Sequence, residues 1–190
     1  MSETDRARWD AKYADRKPTA PAPVDTWLRD NIASVSPGRA LDLACGLGHN
    51  ALWLAENGWD VDAVDISPVG LRCAAKLADE RGVFVNWIVA DLDEYMPGIA
   101  AYDLITVFRF VDRARLPSLI ETALQPGGLL VYEAFHIGQF ARPDNHLQNR
   151  AFALEPDELP RLFPACEVLA YAEYDLADRS VARLFARKRP

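Results

Sequence analysis

The residues best suited to chemistry lie in one short stretch, "LDLACGLGHN", at positions 41–50. Asp42 stands inside an apolar run, and Gly46 and Gly48 follow it. Glycine permits a tight turn and a close approach of the backbone to a ligand. If a helix begins directly after the turn, its unpaired N–H groups point toward that ligand. The pattern therefore predicts a loop that binds a nucleotide-like cofactor.

Two further acidic residues end later apolar runs. Asp65 comes 19 positions after Gly46, where it can accept hydrogen bonds from a ribose diol. Asp91, in "VADLDEY", can accept from an adenine amino group while the backbone N–H of Leu92 reaches a ring nitrogen. Capping or turn formation is the alternative role for Asp91, because aspartate favours both.

These positions alone leave two cofactors open, a nicotinamide dinucleotide and S-adenosylmethionine. Asp42 discriminates between the two cofactors. A buried carboxylate is costly unless it finds hydrogen-bond donors or a positive charge. It is a poor neighbour for a pyrophosphate and a suitable one for an α-amino group and a sulfonium. Alternatively, Asp42 accepts backbone N–H groups and braces the glycine turn. The two roles are compatible.

Alternating strands and helices are predicted around these residues. Ser67 is expected to cap a helix that has Pro68 at its first position. Strands that alternate with helices form a parallel sheet covered on both faces, whereas two strands joined by the turn "LADR" pair antiparallel. We expect a doubly wound, Rossmann-like α/β fold with a mostly parallel seven-stranded sheet and a C-terminal antiparallel hairpin. The predicted helices are 2–16, 24–35, 50–57, 68–82, 116–124 and 155–163, and the predicted strands are 40–45, 60–64, 84–89, 102–107, 129–134, 166–175 and 180–188.

The composition limits the class of protein. The chain has 190 residues, which favours a single domain over residues 1–190, with a helical lid region at 1–36, a proline-rich linker at 17–23 and a core at 37–190. Its net charge of −7 disfavours a nucleic-acid partner. Three scattered cysteines indicate neither a disulfide framework nor a metal site. No secretory signal or membrane span is predicted, so we expect a cytoplasmic protein.

Five segments in order resemble the class I S-adenosylmethionine-dependent methyltransferases: "LDLACGLGHN", "VDAVDISP", "VADLDEY", "YDLITVF" and "LQPGGLLVYE". They cover about residues 40–134. The segments "RWDAKYADR", "GHNALWLA" and "VDIS" are most similar to the tellurite-resistance methyltransferase branch. The resemblance implies methyl transfer from S-adenosylmethionine, with S-adenosylhomocysteine as product. No added specificity domain is evident, so we expect a small-molecule acceptor, such as a thiol or a chalcogen oxyanion.

The resemblance also implies positions that contact the cofactor. His49 stands where the nearer branch often has an arginine, so a charged contact from that position is not carried over. The methionine part would lie on the loop residues, the ribose on Asp65, and the adenine against Ile66, Asp91 and Leu92. The sulfonium would lie near the backbone after the fourth strand. The aromatic pair in the first helix would either close over the cofactor as a lid or only dock the helix. The remaining positions are Ala44, Cys45, Gly46, Gly48 and Asn50 for the loop, Val107 and Phe108 for the strand, and Trp9 and Tyr13 for the helix.

The acceptor side is expected after strands four and five, where residues 136–156 lack periodicity. His136 is the candidate for proton handling, because it directly follows strand five. Arg109 is the candidate for holding an anionic acceptor, and its alternative is an ion pair with Asp112 or Glu133. Two rival functions stay open on the residues alone, a nicotinamide-dependent oxidoreductase and a non-catalytic binder of S-adenosylmethionine. The other candidates for the acceptor wall are Phe108, Glu133, Phe135, Gln139, Arg142 and His146.

Overall fold

The structure is a computed structural model that describes residues 3–14 and 23–190. The chain forms two compact units, Met1–Met96 and Pro97–Pro190. The predicted helix cap at Ser2, the predicted last turn of that helix and the linker at 17–22 lie outside the described residues. The division into a lid region and a core stays a prediction.

The first unit is built on three parallel strands. Strand β1 pairs with β2, and β2 pairs with β3, with Asp42 opposite Ala63 and Asp65 opposite Val89. Leu41, Leu43 and other apolar residues of β1 are buried, as expected of a strand covered on both faces. The elements of this unit are α1 (Glu3–Ala14), α2 (Thr26–Ile32), β1 (Arg39–Leu43), α3 (His49–Glu56), β2 (Asp60–Asp65), α4 (Pro68–Arg81) and β3 (Asn86–Val89).

Helix α4 begins and ends where the sequence predicts. The Ser67 hydroxyl accepts a hydrogen bond from the Gly70 N–H at 3.1 Å, and Pro68 occupies the first turn. Gly82 ends the helix in the left-handed conformation. These local signals place the first turn of α4 directly after Asp65.

The second unit combines parallel and antiparallel pairing. Strand β4 lies parallel to β5, β5 lies antiparallel to β7, and β7 lies antiparallel to β6. Tyr132 of β5 packs in its core against Phe163, with ring centroids 5.9 Å apart. The elements are β4 (Tyr102–Phe108), α5 (Leu116–Ala123), β5 (Leu124–Phe135), two 3-10 turns (Ile137–Ala141 and Arg150–Phe152), α6 (Glu158–Arg161), β6 (Cys166–Asp175) and β7 (Ser180–Lys188).

The seven strands belong to one mixed sheet in the order β3-β2-β1-β4-β5-β7-β6. The predicted Rossmann-like fold with its C-terminal antiparallel hairpin is confirmed. The prediction of a helix over 155–163 is wrong, because only Glu158–Arg161 is helical. Asp157 adopts a left-handed φ of 56°, and Pro160 has no N–H to donate, so a long helix cannot form there. Within the described ranges, no helix is long and apolar enough to cross a membrane.

Candidate functional site

The glycine loop after β1 is a succession of left-handed residues. Ala44, Gly46 and Gly48 have φ of 54°, 58° and 72°. The Gly48 N–H donates to the Cys45 carbonyl at 2.9 Å, which closes the turn before α3. Ala44 is the notable member, because a non-glycine residue in this region costs about 1–3 kcal/mol, and such strain concentrates at ligand sites.

Asp65 joins the glycine loop to the start of α4. One carboxylate oxygen accepts the Gly46 N–H at 2.8 Å, and the other accepts the Ser67 N–H at 2.9 Å. The side chain is buried, and burial raises its pKa. The two N–H donors lower the pKa in part, and the nearby Asp10 carboxylate raises it further. Each oxygen keeps a second lone pair, so the carboxylate can still accept from a ligand.

Two buried carboxylates give the loop a negative potential. Asp42, in β1, is 2% exposed, and Asp65 is 6% exposed. Burial raises the pKa of the Cys45 thiol well above its ordinary value, and the charges of Asp42 and Asp65 raise it further. Because the same field acts on any bound group, the loop favours a cationic ligand and disfavours a pyrophosphate.

The two loop glycines face aromatic side chains of the protein itself. A Cβ on Gly46 would lie 2.7 Å from the Tyr13 hydroxyl oxygen. A Cβ on Gly48 would lie 2.5 Å from the ring of Trp87, in β3. The sequence predicts ligand approach at these glycines, and this packing against aromatic side chains could not be read from it. No local signal identifies Trp87, because its contact joins a strand to a loop far away in the chain.

Helix α1 lies against the loop and the first turn of α4. Asp10 accepts hydrogen bonds from the Ser67 hydroxyl at 2.5 Å and from the Val69 N–H at 3.3 Å. Trp9 stacks on Tyr13, with ring centroids 5.6 Å apart, and Tyr13 itself is buried. Docking of the helix, one of the two predicted roles, is therefore present. Closure of α1 over a cofactor stays a prediction.

The other predicted cofactor positions have structural partners of their own. The Asn50 side-chain oxygen accepts the Asp25 N–H at 3.0 Å, so this side chain braces the start of α2. An Asp91 oxygen accepts the Asp93 N–H at 2.9 Å, which is the predicted turn role. Ile66 and Leu92 are both buried. Their contacts with adenine stay predictions.

In the second unit, the exposed Arg109 lies beside the buried carboxylate of Glu133. Glu133 is fully buried, and one of its oxygens accepts a hydrogen bond from Arg183 Nε at 2.8 Å and lies 2.7 Å from a second nitrogen of that guanidinium. The Arg109 guanidinium lies 3.8 Å from the second Glu133 oxygen, which matches the ion pair weighed for it from the sequence. Arg109 has a left-handed φ of 60°, and its N–H donates to the Glu133 carbonyl at 2.7 Å. Val107 and Phe108, directly before it, are both buried.

His136 has a contact at each ring nitrogen. Nδ1 accepts the Gly138 N–H at 3.1 Å, and Nε2 lies 3.1 Å from a Glu173 oxygen. Among the described residues Nε2 makes no hydrogen bond, so Glu173 meets it at ion-pair distance only. Proton handling by His136 stays a prediction.

Other acceptor-wall candidates hold the segment after β5 in place. Gln139 is fully buried and accepts the Ser180 N–H at 2.9 Å. Arg142 donates to the Leu176 and Ala177 carbonyls, in the turn of the β6–β7 hairpin. Phe135 and His146 meet edge to face, with ring centroids 5.2 Å apart. The structure thus brings these predicted residues together within the second unit, chiefly in structural contacts.

The chain is similar to known proteins in sequence. Residues 40–128 match a family model described as a methyltransferase domain. Hemagglutinin 1 of Eikenella corrodens is 32% identical over 157 residues, which are 77% of this chain and 49% of that protein. The probable S-adenosyl-L-methionine-dependent methyltransferase TehB of Haemophilus influenzae is 31% identical over 96 residues, 48% of this chain and 33% of that protein. The chain thus spans about half of the first relative and a third of the second.

Two solved structures share the fold. TehB from Haemophilus influenzae superimposes with a TM-score of 0.74 at 22% identity, covering 95% of this chain and 67% of that chain. The N-methyltransferase NodS from Bradyrhizobium japonicum, solved with S-adenosyl-L-homocysteine, gives 0.76 at 17% identity and covers 97% and 98%. At such identities the likeness shows the fold alone.

Proposed function

We propose that this chain, which belongs to the class I S-adenosylmethionine-dependent methyltransferases, transfers a methyl group from that cofactor to a small-molecule acceptor. The family rests on the matched methyltransferase domain. The resemblance to the tellurite-resistance branch is supported by the sequence match to TehB.

The observation that carries the proposal is the negative potential of the glycine loop. Asp42 and Asp65 are both buried, and their charges raise the pKa of Cys45, which lies in that loop. A sulfonium and an α-ammonium are cations that suit such a field, whereas a dinucleotide pyrophosphate is an anion that does not. The residues therefore fit S-adenosylmethionine and argue against the nicotinamide alternative.

We assign the binding roles from this fit. Asp65 accepts the ribose hydroxyls with its remaining lone pairs, while Ile66 and the Asp91–Leu92 turn lie along the adenine. The backbone of residues 44–48 and Asn50 hold the methionine part, with Trp9 and Tyr13 excluding water above it. When bound, the cofactor supplies an electrophilic methyl group, whose C–S bond breaks as the acceptor attacks and leaves a neutral thioether.

We assign the acceptor side to the second unit. Arg109 holds an anionic acceptor, and Val107 and Phe108 supply a buried apolar wall. An acceptor that is already ionised, such as a thiolate or a chalcogen oxyanion, needs no strong base.

A labelled-methyl transfer assay tests the proposal. The protein is incubated with S-adenosylmethionine labelled in its methyl group and with a cell extract separated by ultrafiltration into small molecules and macromolecules. We expect enzyme-dependent label in the small-molecule fraction, followed by turnover with members of a panel of thiols, selenite and tellurite. Label in macromolecules alone would overturn the small-acceptor assignment. Tight cofactor binding with no enzyme-dependent label in either fraction would favour a non-catalytic binder.

A further inference from the structure

The segment 136–157 leaves the sheet after β5, and backbone hydrogen bonds hold its start and its end together. His136 and Leu154 form an isolated parallel bridge, with the Ile137 N–H donating to the Leu154 carbonyl at 2.8 Å. The Leu154 N–H donates in turn to the Phe135 carbonyl at 2.8 Å. The segment is therefore a loop with a closed base, and we call residues 136–157 the closed loop.

One side chain outside the closed loop binds both of its ends. Glu173, in β6, has one carboxylate oxygen 3.1 Å from His136 Nε2, at the start of the loop. The other oxygen accepts the Asp157 N–H at 2.8 Å, at the end of the loop. The Tyr171 hydroxyl also donates to that second oxygen, at 2.5 Å. Each oxygen thus serves a different end of the loop.

The closed loop begins with a side-chain cap and ends with a left-handed residue. His136 caps the first 3-10 turn through its Nδ1, so rotation of the imidazole would remove that cap. Asp157 has the left-handed φ of 56°, which is unfavourable for a residue other than glycine. Burial acts to raise the pKa of Glu173, but hydrogen bonds from Tyr171 and Asp157 lower it below its ordinary value, so the carboxylate stays ionised at neutral pH.

We propose that Glu173 is a positioning residue. It fixes the conformation of the closed loop by contacting His136 at one end and Asp157 at the other. The reaction consequence rests on the proposed function, because the closed loop follows the strand end assigned to the acceptor. His136 then acts as the first residue that Glu173 holds. Loss of this clamp, the two contacts that Glu173 makes with the closed loop, misplaces the acceptor and leaves the cofactor site of the first unit intact.

Hydrogen–deuterium exchange of the closed loop tests the clamp without any need for activity. Glu173→Ala removes both ends of the clamp, and we expect amides at 137–142 and 154–158 to exchange roughly 10-fold faster. Glu173→Gln keeps an oxygen for Asp157 but removes the negative charge that lies 3.1 Å from His136 Nε2. We therefore expect faster exchange at 137–142 alone. Glu167→Ala is the matched control, because Glu167 is an exposed glutamate of the same strand.

Three outcomes decide the proposal. Exchange in Glu173→Ala that equals the Glu167→Ala control would overturn it, as would equal acceleration at both ends in Glu173→Gln. If Glu173→Ala does not fold, the Glu173→Gln pattern decides alone. Where turnover is measurable, we expect a raised KM for the acceptor with unchanged affinity for S-adenosylhomocysteine. Failure of wild type to bind S-adenosylhomocysteine would refute the proposed function. The exchange rates of the closed loop would still test the role of Glu173, because they do not depend on cofactor binding.

Discussion

Replacement of Gly46 by alanine tests how α1 and the glycine loop are coupled. The new Cβ would lie 2.7 Å from the Tyr13 hydroxyl oxygen, whereas the next ring atom is 3.5 Å away, an ordinary contact. The clash is therefore with the hydroxyl alone. Tyr13→Phe removes that oxygen and should relieve it, so the pair forms a double-mutant cycle.

The expected free energies follow from two separate causes. Alanine at a φ of 58° costs about 1–2 kcal/mol, and overpacking against a buried ring costs about 1–3 kcal/mol. Gly46→Ala should therefore destabilise the protein by about 2–5 kcal/mol. In the Tyr13→Phe background only the backbone cost remains, so the coupling energy should be about 1–3 kcal/mol in favour of the double variant.

Urea unfolding of wild type, both single variants and the double variant measures this coupling. The Tyr13→Phe single variant accounts for any hydrogen bond that the hydroxyl makes. Additivity within about 0.5 kcal/mol would refute the reasoning, because it would mean that α1 shifts away from the loop at little cost. The same variants titrated with S-adenosylhomocysteine then report whether Tyr13 also shapes the cofactor site.

Three further predictions concern single groups. Since burial raises the pKa of Asp65, the folded state binds more protons than the unfolded state from the ordinary value of 3.8 up to its raised pKa. The free energy of unfolding of wild type, measured by denaturant titration, should therefore fall relative to Asp65→Asn as pH rises through that window; a constant difference would contradict this. Ser67→Ala should cost about 1–2 kcal/mol in urea unfolding, because α4 loses its cap and Asp10 a donor, and no loss would refute the capping role. Glu133→Ala should lower the free energy of unfolding by about 3–5 kcal/mol by stranding the Arg183 charge, and a loss no larger than that of Glu167→Ala would contradict this.

Local signals predicted the elements that carry the site. Ser67 and Pro68 identified the start of α4, because capping depends on neighbours along the chain. The hairpin strands at 166–175 and 180–188 were predicted with their observed bounds, since a polar turn separates two apolar runs. Asp42 is predicted from the sequence to be buried within the first strand, and the structure confirms this.

Contacts between distant segments could not be predicted in this way. Tyr13 and Trp87 fill the space beside the loop glycines. Nothing in the sequence around either residue indicates that it packs against the glycine loop. The same holds for Glu173, which lies between His136 and Asp157 only after the hairpin has formed. The position of His136 directly after strand five predicts proton chemistry. The contacts of its ring, however, depend on these tertiary partners.

Calorimetric titration with S-adenosylhomocysteine, and with NAD⁺ in parallel, tests the central claim most directly. The account predicts saturable binding of S-adenosylhomocysteine alone, weakened by about 1–3 kcal/mol in Asp65→Ala because the ribose diol loses its acceptor. Binding of NAD⁺ alone would contradict the account, because the charge of the buried Asp42 should repel its pyrophosphate. Unchanged affinity in Asp65→Ala would remove the ribose contact from the site.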